Sequence, residues 1–485
     1  MKAWVLLILV LGLLFRLYNY SSGFYFAHDQ DLYSWIAKDI VVNGHNRLIG
    51  QLTSVDGVFI GSFYYYLMAV FYKFGGMNPL SAVIPITIIG LFNIWSFYFV
   101  VKKHFGTKAG LWAAFIYSVS FGAAMFDRWS VPTQPTVTWS IWFLYIILET
   151  LKGNLKVLPI YGFLCGFVWQ LHIALLPILP LPILAYVLSK NNFLNVFNKK
   201  NIKVTFVSVL IFGLTLSPFL LFEFKHNFSQ IKAMVVGINV DKGGPTGVQK
   251  LAKVLDASGR EFQKRLLFDY DQNGTVQYWV ILLIVSAYLV FNKIVKYKYW
   301  VVFGLWFGLI LLAQYTSKRV VSEYYFTNLL PIYILILSIA LGKIKYKWIS
   351  VVMVIIYLGL NLNWLFNKSD IYDSYYYKMQ VVNFIKADVK LNNYPCVAVN
   401  FIADPGVGVG FRYLFWWQNI TLVKPGIVGI PAYNIPIPWQ ISQKDGPTVF
   451  GRFGVILPPV PKNKIDPAVC NRPENQLDPL LGYVE

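Results

Sequence analysis

A short run near the N-terminus, Ala27-His28-Asp29-Gln30-Asp31-Leu32-Tyr33, sets two carboxylates and an imidazole close together. A carboxylate beside a reacting hydroxyl can take its proton. Asp29 and Asp31 stand at i and i+2, a spacing that does not share one helix face. One can therefore address a cleft while the other faces elsewhere, unless a turn or a metal brings them together. The plainer alternative is a solvated helix N-terminus, where aspartate is favoured by capping and by the helix dipole. The next segment is unusual for the neighbour of a solvated helix. Residues 44–61 read GHNRLIGQLTSVDGVFIG, glycine-rich and weakly charged, and run into Ser62-Phe63-Tyr64-Tyr65-Tyr66-Leu67. Such an aromatic belt suits a helix lying at a membrane interface.

The elements that must position these residues are apolar. The chain has 485 residues, 57% hydrophobic, 18% aromatic and only 13% charged. Soluble domains carry roughly a quarter charged residues, so lipid is the expected solvent for most of this sequence. The formal charge of +20 could point to nucleic acid. The lysines, however, cluster in short gaps between apolar runs, which is the positive-inside pattern. The first run, 3–20, reads as an uncleaved helix rather than a signal peptide, because Ser21-Ser22-Gly23 is a poor cleavage site. Further runs at 80–101, 108–126, 133–150, 157–171, 173–188, 204–222, 276–291, 299–315, 325–341 and 348–366 predict about eleven spans. Pro177, Pro180 and Pro182 are expected to break the chain where two runs meet beside His172.

Basic gaps near Lys102 to Lys108, Lys152 to Lys156, Lys190 to Lys203, Lys293 to Lys298 and Lys343 to Lys347 fall on one side if the N-terminus is cytoplasmic and the runs alternate. The loops 21–79 and 223–275, and everything after residue 366, then lie outside. Within 223–275, Val248, Leu251, Val254, Leu255, Phe262 and Leu266 follow helical spacing and predict an interfacial amphipathic helix. Residues 367–485 are expected to form a small extracytoplasmic α/β domain, with a helix over 377–390 and strands over 396–402 and 450–457. The glycine turn 404–410 lacks the order and the Lys-Ser/Thr ending of a phosphate loop. Cys396 and Cys470 share this region and could form a disulfide if it is extracytoplasmic. Cys165, inside an apolar run, is read as packing.

An Asp-x-x-x-Tyr loop after the first helix, a G…YYYL…FG…P approach to the second and a YF…LP run near the last spans together resemble the GT-C glycosyltransferases. The branch is that of the protein O-mannosyltransferases and the aminoarabinose transferase of lipid A, and the resemblance covers about residues 3–366. It implies an α-helical polytopic fold and inverting transfer of a sugar from a polyprenyl-phosphate carrier. The acceptor would be an envelope lipid, glycan or protein at the outer face of a prokaryotic plasma membrane. Carried onto this chain, it makes Asp29 the base that takes the acceptor proton. Tyr33 matches the tyrosine four residues later, and Tyr65 of the Tyr-rich helix is expected among the substrate contacts. Asp31 would hold the acceptor or, with Asp29, complete a divalent-metal site.

The departing lipid phosphate needs cationic donors. His172 stands where relatives often have a lysine; a capped interfacial histidine is its plain reading. Asp127 and Arg128 occupy a second outer loop, and Arg128 is the preferred phosphate or pyranose contact, against an ordinary snorkelling arginine. Lys318, Arg319, Glu323 and Tyr324 are expected to border the carrier cavity. One departure stands out: relatives with Glu-Lys-Pro before the Tyr-rich helix use that acid, whereas here Phe59-Ile60-Gly61-Ser62 intervenes and Asp56 is the nearest carboxylate. No HxxxH or HExxH motif signals a metal. Phe411, Tyr413, Phe415, Trp416 and Trp417 suit either sugar stacking or docking onto the membrane half, and docking is preferred. The alternative from another class is a transporter or lipid flippase. Transporters place charges near the midplane of broken, repeated helices; here the acids crowd at the ends of the runs and no repeat is visible.

Overall fold

The computed structural model describes residues 2–190, 193–199, 201–239, 244–267, 276–404, 409–459 and 465–477. Helix α1 (Lys2–Leu17) leads through a short turn to α2 (His28–Lys38). A hairpin of β1 (Ile49–Leu52) and β2 (Phe59–Gly61) then precedes α3 (Phe63–Phe74). The strands pair antiparallel, Ile49 opposite Gly61 and Leu52 opposite Phe59. The apolar helices come next as α4 (Val83–Phe105), α5 (Thr107–Val119), α6 (Phe121–Arg128), α7 (Thr136–Thr150), α8 (Leu158–Leu171), α9 (Leu181–Leu188) and α10 (Ile202–Lys225). Beyond them lie α11 (Ser229–Asn239), α12 (Gly247–Phe262), α13 (Val276–Phe291), α14 (Tyr297–Thr316), α15 (Leu330–Gly342) and α16 (Lys347–Lys368).

Each expected apolar run is helical, but not each is a full span. Five helical stretches, Pro79–Phe105, Ile202–Lys225, Tyr297–Thr316, Glu323–Gly342 and Lys347–Lys368, are long and apolar enough to cross a bilayer among the described residues. A sixth span is available if α5 and α6, bent by 63°, count as one. The bend follows from Ser120, whose backbone leaves the helical region while its hydroxyl accepts the Ala123 N–H at the new helix start. Past His172 the prolines act as expected: Ile173–Ile178 tightens to a 3₁₀ helix with Pro177 inside it, and α9 restarts after Pro180.

Lipid-facing surface is visible directly. On α10, Phe206 is 67% and Leu214 64% exposed, and on α16 Ile355 is 63% exposed. A row of such side chains in water would forfeit ~25 cal/mol per Å² of apolar area, so hydrocarbon is their natural neighbour. Helices pack inward through small residues. A Cβ on Gly162 would lie 2.2 Å from the Ser208 carbonyl oxygen, and one on Gly166 2.0 Å from the Thr215 hydroxyl. The Gly-x-x-x-Gly spacing on α8 therefore lets α10 approach closely. α12 is helical as expected, but its apolar stripe is divided: Val254 and Phe262 are buried while Val248 is 84% exposed; residues 240–243 and 268–275 of the same loop lie outside the described residues.

After α16 the chain forms α17 (Tyr375–Leu391), β3 (Val397–Ala403), α18 (Arg412–Trp417), β4 (Leu422–Val423), β5 (Ala432–Ile437), β6 (Thr448–Phe450), β7 (Phe453–Val455) and α19 (Pro467–Cys470). β3 runs parallel between β4 and β5, and β6 with β7 makes a hairpin. The expected glycine turn falls partly on residues 405–408, outside the described residues. A disulfide joins Cys396 to Cys470. This C-terminal part shares a core with the segment after α1: Phe24, Phe26, Tyr33, Tyr64 and Tyr72 pack with Val381, Ile385, Phe411, Tyr413 and Tyr433. Backbone bonds stitch the same seam, Ile371 N–H to Ser22 and Tyr375 N–H to Phe24, both at 2.9 Å.

Candidate active site

Asp29 sits in the first turn of α2, and three contacts fix that turn. The Gln30 side chain accepts the Ala27 N–H at 3.0 Å, the return half of a capping box. Its Nε2 donates to the Ser130 carbonyl at 2.8 Å, tying α2 to the 129–133 loop. Ser130 in turn shares a 2.6 Å hydrogen bond with the Tyr64 hydroxyl of α3. Asp29 thus lines a cleft of about 160 Å³ whose walls come from far apart in the chain. The β1–β2 hairpin supplies Gln51, Leu52, Thr53, Ser54 and Ile60, and the loop after α6 supplies Trp129, Val131, Pro132 and Thr133. His172 and Tyr324 close it.

Burial raises the Asp29 pKa above the ordinary carboxylate value, opposed by the His28 charge and by a hydrogen bond from the Gln51 side chain. Gln51 is held from below: its N–H donates to the Tyr65 hydroxyl at 2.8 Å. A Cβ on neighbouring Gly50 would strike the Tyr65 ring at 1.8 Å. Tyr65 is therefore fully buried beneath the hairpin, a support for the cleft rather than part of its lining.

His172 lies between α8 and the 3₁₀ turn, with its Nδ1 accepting the Ala174 N–H at 3.0 Å. An imidazole that accepts at Nδ1 carries its proton at Nε2, so the neutral ring presents a donor. Burial pushes its pKa down to about 4, which keeps it neutral at physiological pH. Its ring is flanked by Tyr324 and Tyr325, with centroids 5.9 and 5.2 Å away.

Several expected site residues are placed elsewhere. Asp31 points away from the cleft, buried, and accepts the Tyr413 N–H at 2.7 Å. Burial pushes its pKa up to about 6 against that bond and the Lys378 charge, while burial pushes Lys378 down to about 7. Asp29 and Asp31 consequently do not converge on one cation. Among the described residues there is no group of three or more His, Cys, Asp or Glu side chains placed to hold one. Tyr33 is wholly buried against Tyr64, 5.7 Å between ring centroids. Asp56 is exposed at the hairpin tip.

Asp127 and Arg128 are consumed by the fold. Arg16 Nη2 and Nε donate to one Asp127 oxygen at 2.6 and 2.8 Å, and the Tyr117 hydroxyl donates to the other at 2.7 Å. Arg128 donates to the carbonyls of Arg16, at 2.9 Å, and of Tyr18, covering the C-terminal end of α1. Arg16, in the last turn of α1, is 1% exposed. Arg319 braces the cleft from behind, donating to the Ser54 and Gly237 carbonyls. Glu323 pairs with Lys264 at 2.5 Å, and Lys318 is exposed; neither lines the cleft.

Gln51, Trp129 and Thr133 line the cleft without having been anticipated. The glycine-rich, weakly charged character of 44–61 was the available signal for the first, and the Pro132–Pro135 loop for the others. Beside the cleft, an apolar groove of about 590 Å³ runs between Phe63, Phe92, Trp139, Trp142, Phe163 and Phe167. Pro135 lines this groove, two residues past Thr133. Phe63, also in the groove, gives its N–H to Gln170 at 3.0 Å, two residues before His172. The apolar groove and the polar cleft are thus lined by neighbouring residues of the same segment, Pro135 and Thr133.

No curated protein matches the chain by sequence. Residues 62–222 match a family model described as dolichyl-phosphate-mannose-protein mannosyltransferase. Among solved structures, the chain superposes on ArnT from Cupriavidus metallidurans bound to undecaprenyl phosphate with a TM-score of 0.58 at 10% identity, covering 94% of this chain and 98% of that one. The apo form of the same protein gives 0.57, with the same identity and coverage. At that identity the likeness is one of fold, and it extends over nearly the whole of both chains. The chain therefore has the GT-C glycosyltransferase fold, of the ArnT and protein-mannosyltransferase kind that its sequence resembles.

Proposed function

We propose that this protein is an integral-membrane glycosyltransferase that takes a sugar from a polyprenyl-phosphate carrier and passes it, with inversion, to an acceptor at the outer face of the membrane. The observation that carries this reading is Asp29, half-buried in a cleft that adjoins an apolar groove. The matched family's description names a dolichyl-phosphate sugar, and the ArnT structure is bound to undecaprenyl phosphate. Both are isoprenoid phosphates, a charged head on an apolar tail, which is the chemistry a polar cleft beside an apolar groove suits.

The steps balance with this chain's residues. Asp29, as carboxylate, accepts the proton of the acceptor hydroxyl while that oxygen attacks C1 of the sugar. The C1–O bond to phosphate breaks, and the lipid phosphate departs with the electron pair. In this reading the Nε2–H of His172, which lines the cleft, donates to it, a neutral hydrogen bond rather than an ion pair. Gln51 orients the base. The outward placement rests on the five basic gaps and on the Cys396–Cys470 disulfide, a bond at home in oxidising compartments.

The test is transfer from a radiolabelled polyprenyl-phosphate sugar by the purified, folded protein. Asp29→Asn should lower turnover about 10²–10⁴-fold, the usual contribution of a positioned base, with carrier binding retained. Full turnover in that variant would remove Asp29 from the reaction.

A further inference from the structure

A second cleft, of about 410 Å³, lies between α2 and the C-terminal part of the chain. Its size falls within the ~300–1,000 Å³ typical of small-ligand sites. Trp35 of α2 and Trp416 of α18 line it, their ring centroids 6.2 Å apart at 79°. Asn419, Thr421 and Gln476 add two amides and a hydroxyl, and Arg412 a guanidinium. Among the described residues, neither Asp nor Glu lines it.

This set of side chains has a definite chemistry. Indole rings offer flat apolar faces to the C–H face of a pyranose, and amides and hydroxyls satisfy its ring hydroxyls. A guanidinium suits a carboxylate or phosphate. The Arg412 Cζ lies 5.4 Å from the Trp35 centroid, and Lys38 Nζ is 4.9 Å from Trp35 and 5.2 Å from Trp416. Positive charge is therefore concentrated around the rings. The wall is also rigidly built. Gln476 donates from Nε2 to the Cys470 carbonyl at 2.7 Å, and Cys470 is in the disulfide with Cys396. Trp35 lies six residues beyond Asp29, ~9 Å along the helix at 1.5 Å per residue.

We propose that this cleft is a saccharide subsite that holds an acidic oligosaccharide. Resting on the glycosyltransferase reading, that saccharide is the part of the acceptor remote from its reacting hydroxyl. Binding and transfer are separable, so the two ideas fail separately.

The experiment is calorimetric titration of the full chain in lipid nanodiscs with a uronate-bearing tetrasaccharide and with its carboxyl-reduced, neutral counterpart. The acidic probe should bind about tenfold more tightly, a 1.4 kcal/mol preference. Arg412→Gln should erase that preference. Trp416→Ala should weaken both probes at least about tenfold. Because that variant could disturb packing, Asn419→Gly, which removes an exposed side chain and tolerates the left-handed backbone at that position (φ 57°), should also weaken both in a chain of unchanged melting temperature. Asp29→Asn should bind both probes as the wild type does. The proposal is overturned by no heat from either probe at millimolar concentration, by unchanged binding in folded Trp416→Ala and Asn419→Gly, or by loss of binding in Asp29→Asn. That last result would put the saccharide in the Asp29 cleft. Failure to detect sugar transfer would count against the proposed reaction and leave these heats as they are.

Discussion

Asp31 and Tyr413, 382 positions apart in the chain, are joined by a 2.7 Å hydrogen bond from the Tyr413 N–H to the buried Asp31 carboxylate. Asp29, two residues earlier on the same helix, faces the opposite way into the cleft. The C-terminal part of the chain thus grips the helix that presents the proposed base.

That grip has a measurable strength. Asp31→Ala leaves the Tyr413 N–H without its acceptor, a loss of about 1–3 kcal/mol. We expect a lower unfolding midpoint together with reduced transfer, and Asp31→Asn, which keeps an acceptor oxygen, should recover most of both. The pH dependence has a fixed sign. Burial places the folded-state pKa of Asp31 at about 6, above the ~3.9 of an unfolded chain. Its stabilising contribution is therefore complete below about pH 4 and lost as pH rises towards 6. Subtracting the Asp31→Asn midpoints from those of the wild type between pH 4 and 8 should show that fall; a flat difference would rule it out.

Asp29 works only when deprotonated, so kcat/KM should rise with pH through its raised pKa and level off above it. The His28 charge opposes the raising. Replacing it, His28→Gln, should move the acidic limb to higher pH while leaving the plateau nearly unchanged. A limb that stayed in place would show that another group controls it.

The structure separates two basic residues that sequence alone treats alike. His172→Ala should raise the KM for the lipid-phosphate donor, about tenfold for one lost hydrogen bond to a charged group, together with the modest loss of stability, about 0.5–2 kcal/mol, of a removed cap on the Ala174 N–H. Arg128→Gln uncovers the carbonyls at the end of α1 and should lower stability while leaving that KM nearly intact. The reverse pattern would return Arg128 to the phosphate.

Topology can be read from the cysteines. In intact cells Cys396 and Cys470 should resist an impermeant thiol reagent until a reductant is added, and then react with the cell membrane still closed. Labelling only after the membrane is broken would place the C-terminal part inside. Cys470→Ser should cost about 2–5 kcal/mol of stability, the usual loss for a native disulfide.

Much was legible before any coordinates. Every apolar run became a helix because hydrophobic periodicity and length are local properties. The break after His172, the helix α12 and the succession of helix and strand after α16 came from proline, spacing and alternation in the same way, whereas the single strand expected over 450–457 is in fact the β6–β7 hairpin, turning between Phe450 and Phe453. The divergence of Asp29 and Asp31 was already implied by their i, i+2 spacing. The full span count was less legible, since runs of similar composition gave helices of 15 residues at Thr136–Thr150 and of 24 at Ile202–Lys225.

By itself the sequence determined a membrane-embedded helical chain with an acidic cluster just past its first helix. Only the tertiary structure decided which charges remain available for chemistry. Arg16 with Asp127, Arg128 with the end of α1, and Asp31 with Tyr413 are pairings across more than 100 residues. A buried charge must find a partner wherever the fold brings one. No local pattern records that partner, so Asp127, Arg128 and Asp31 read as surface chemistry until the packing showed them already bound.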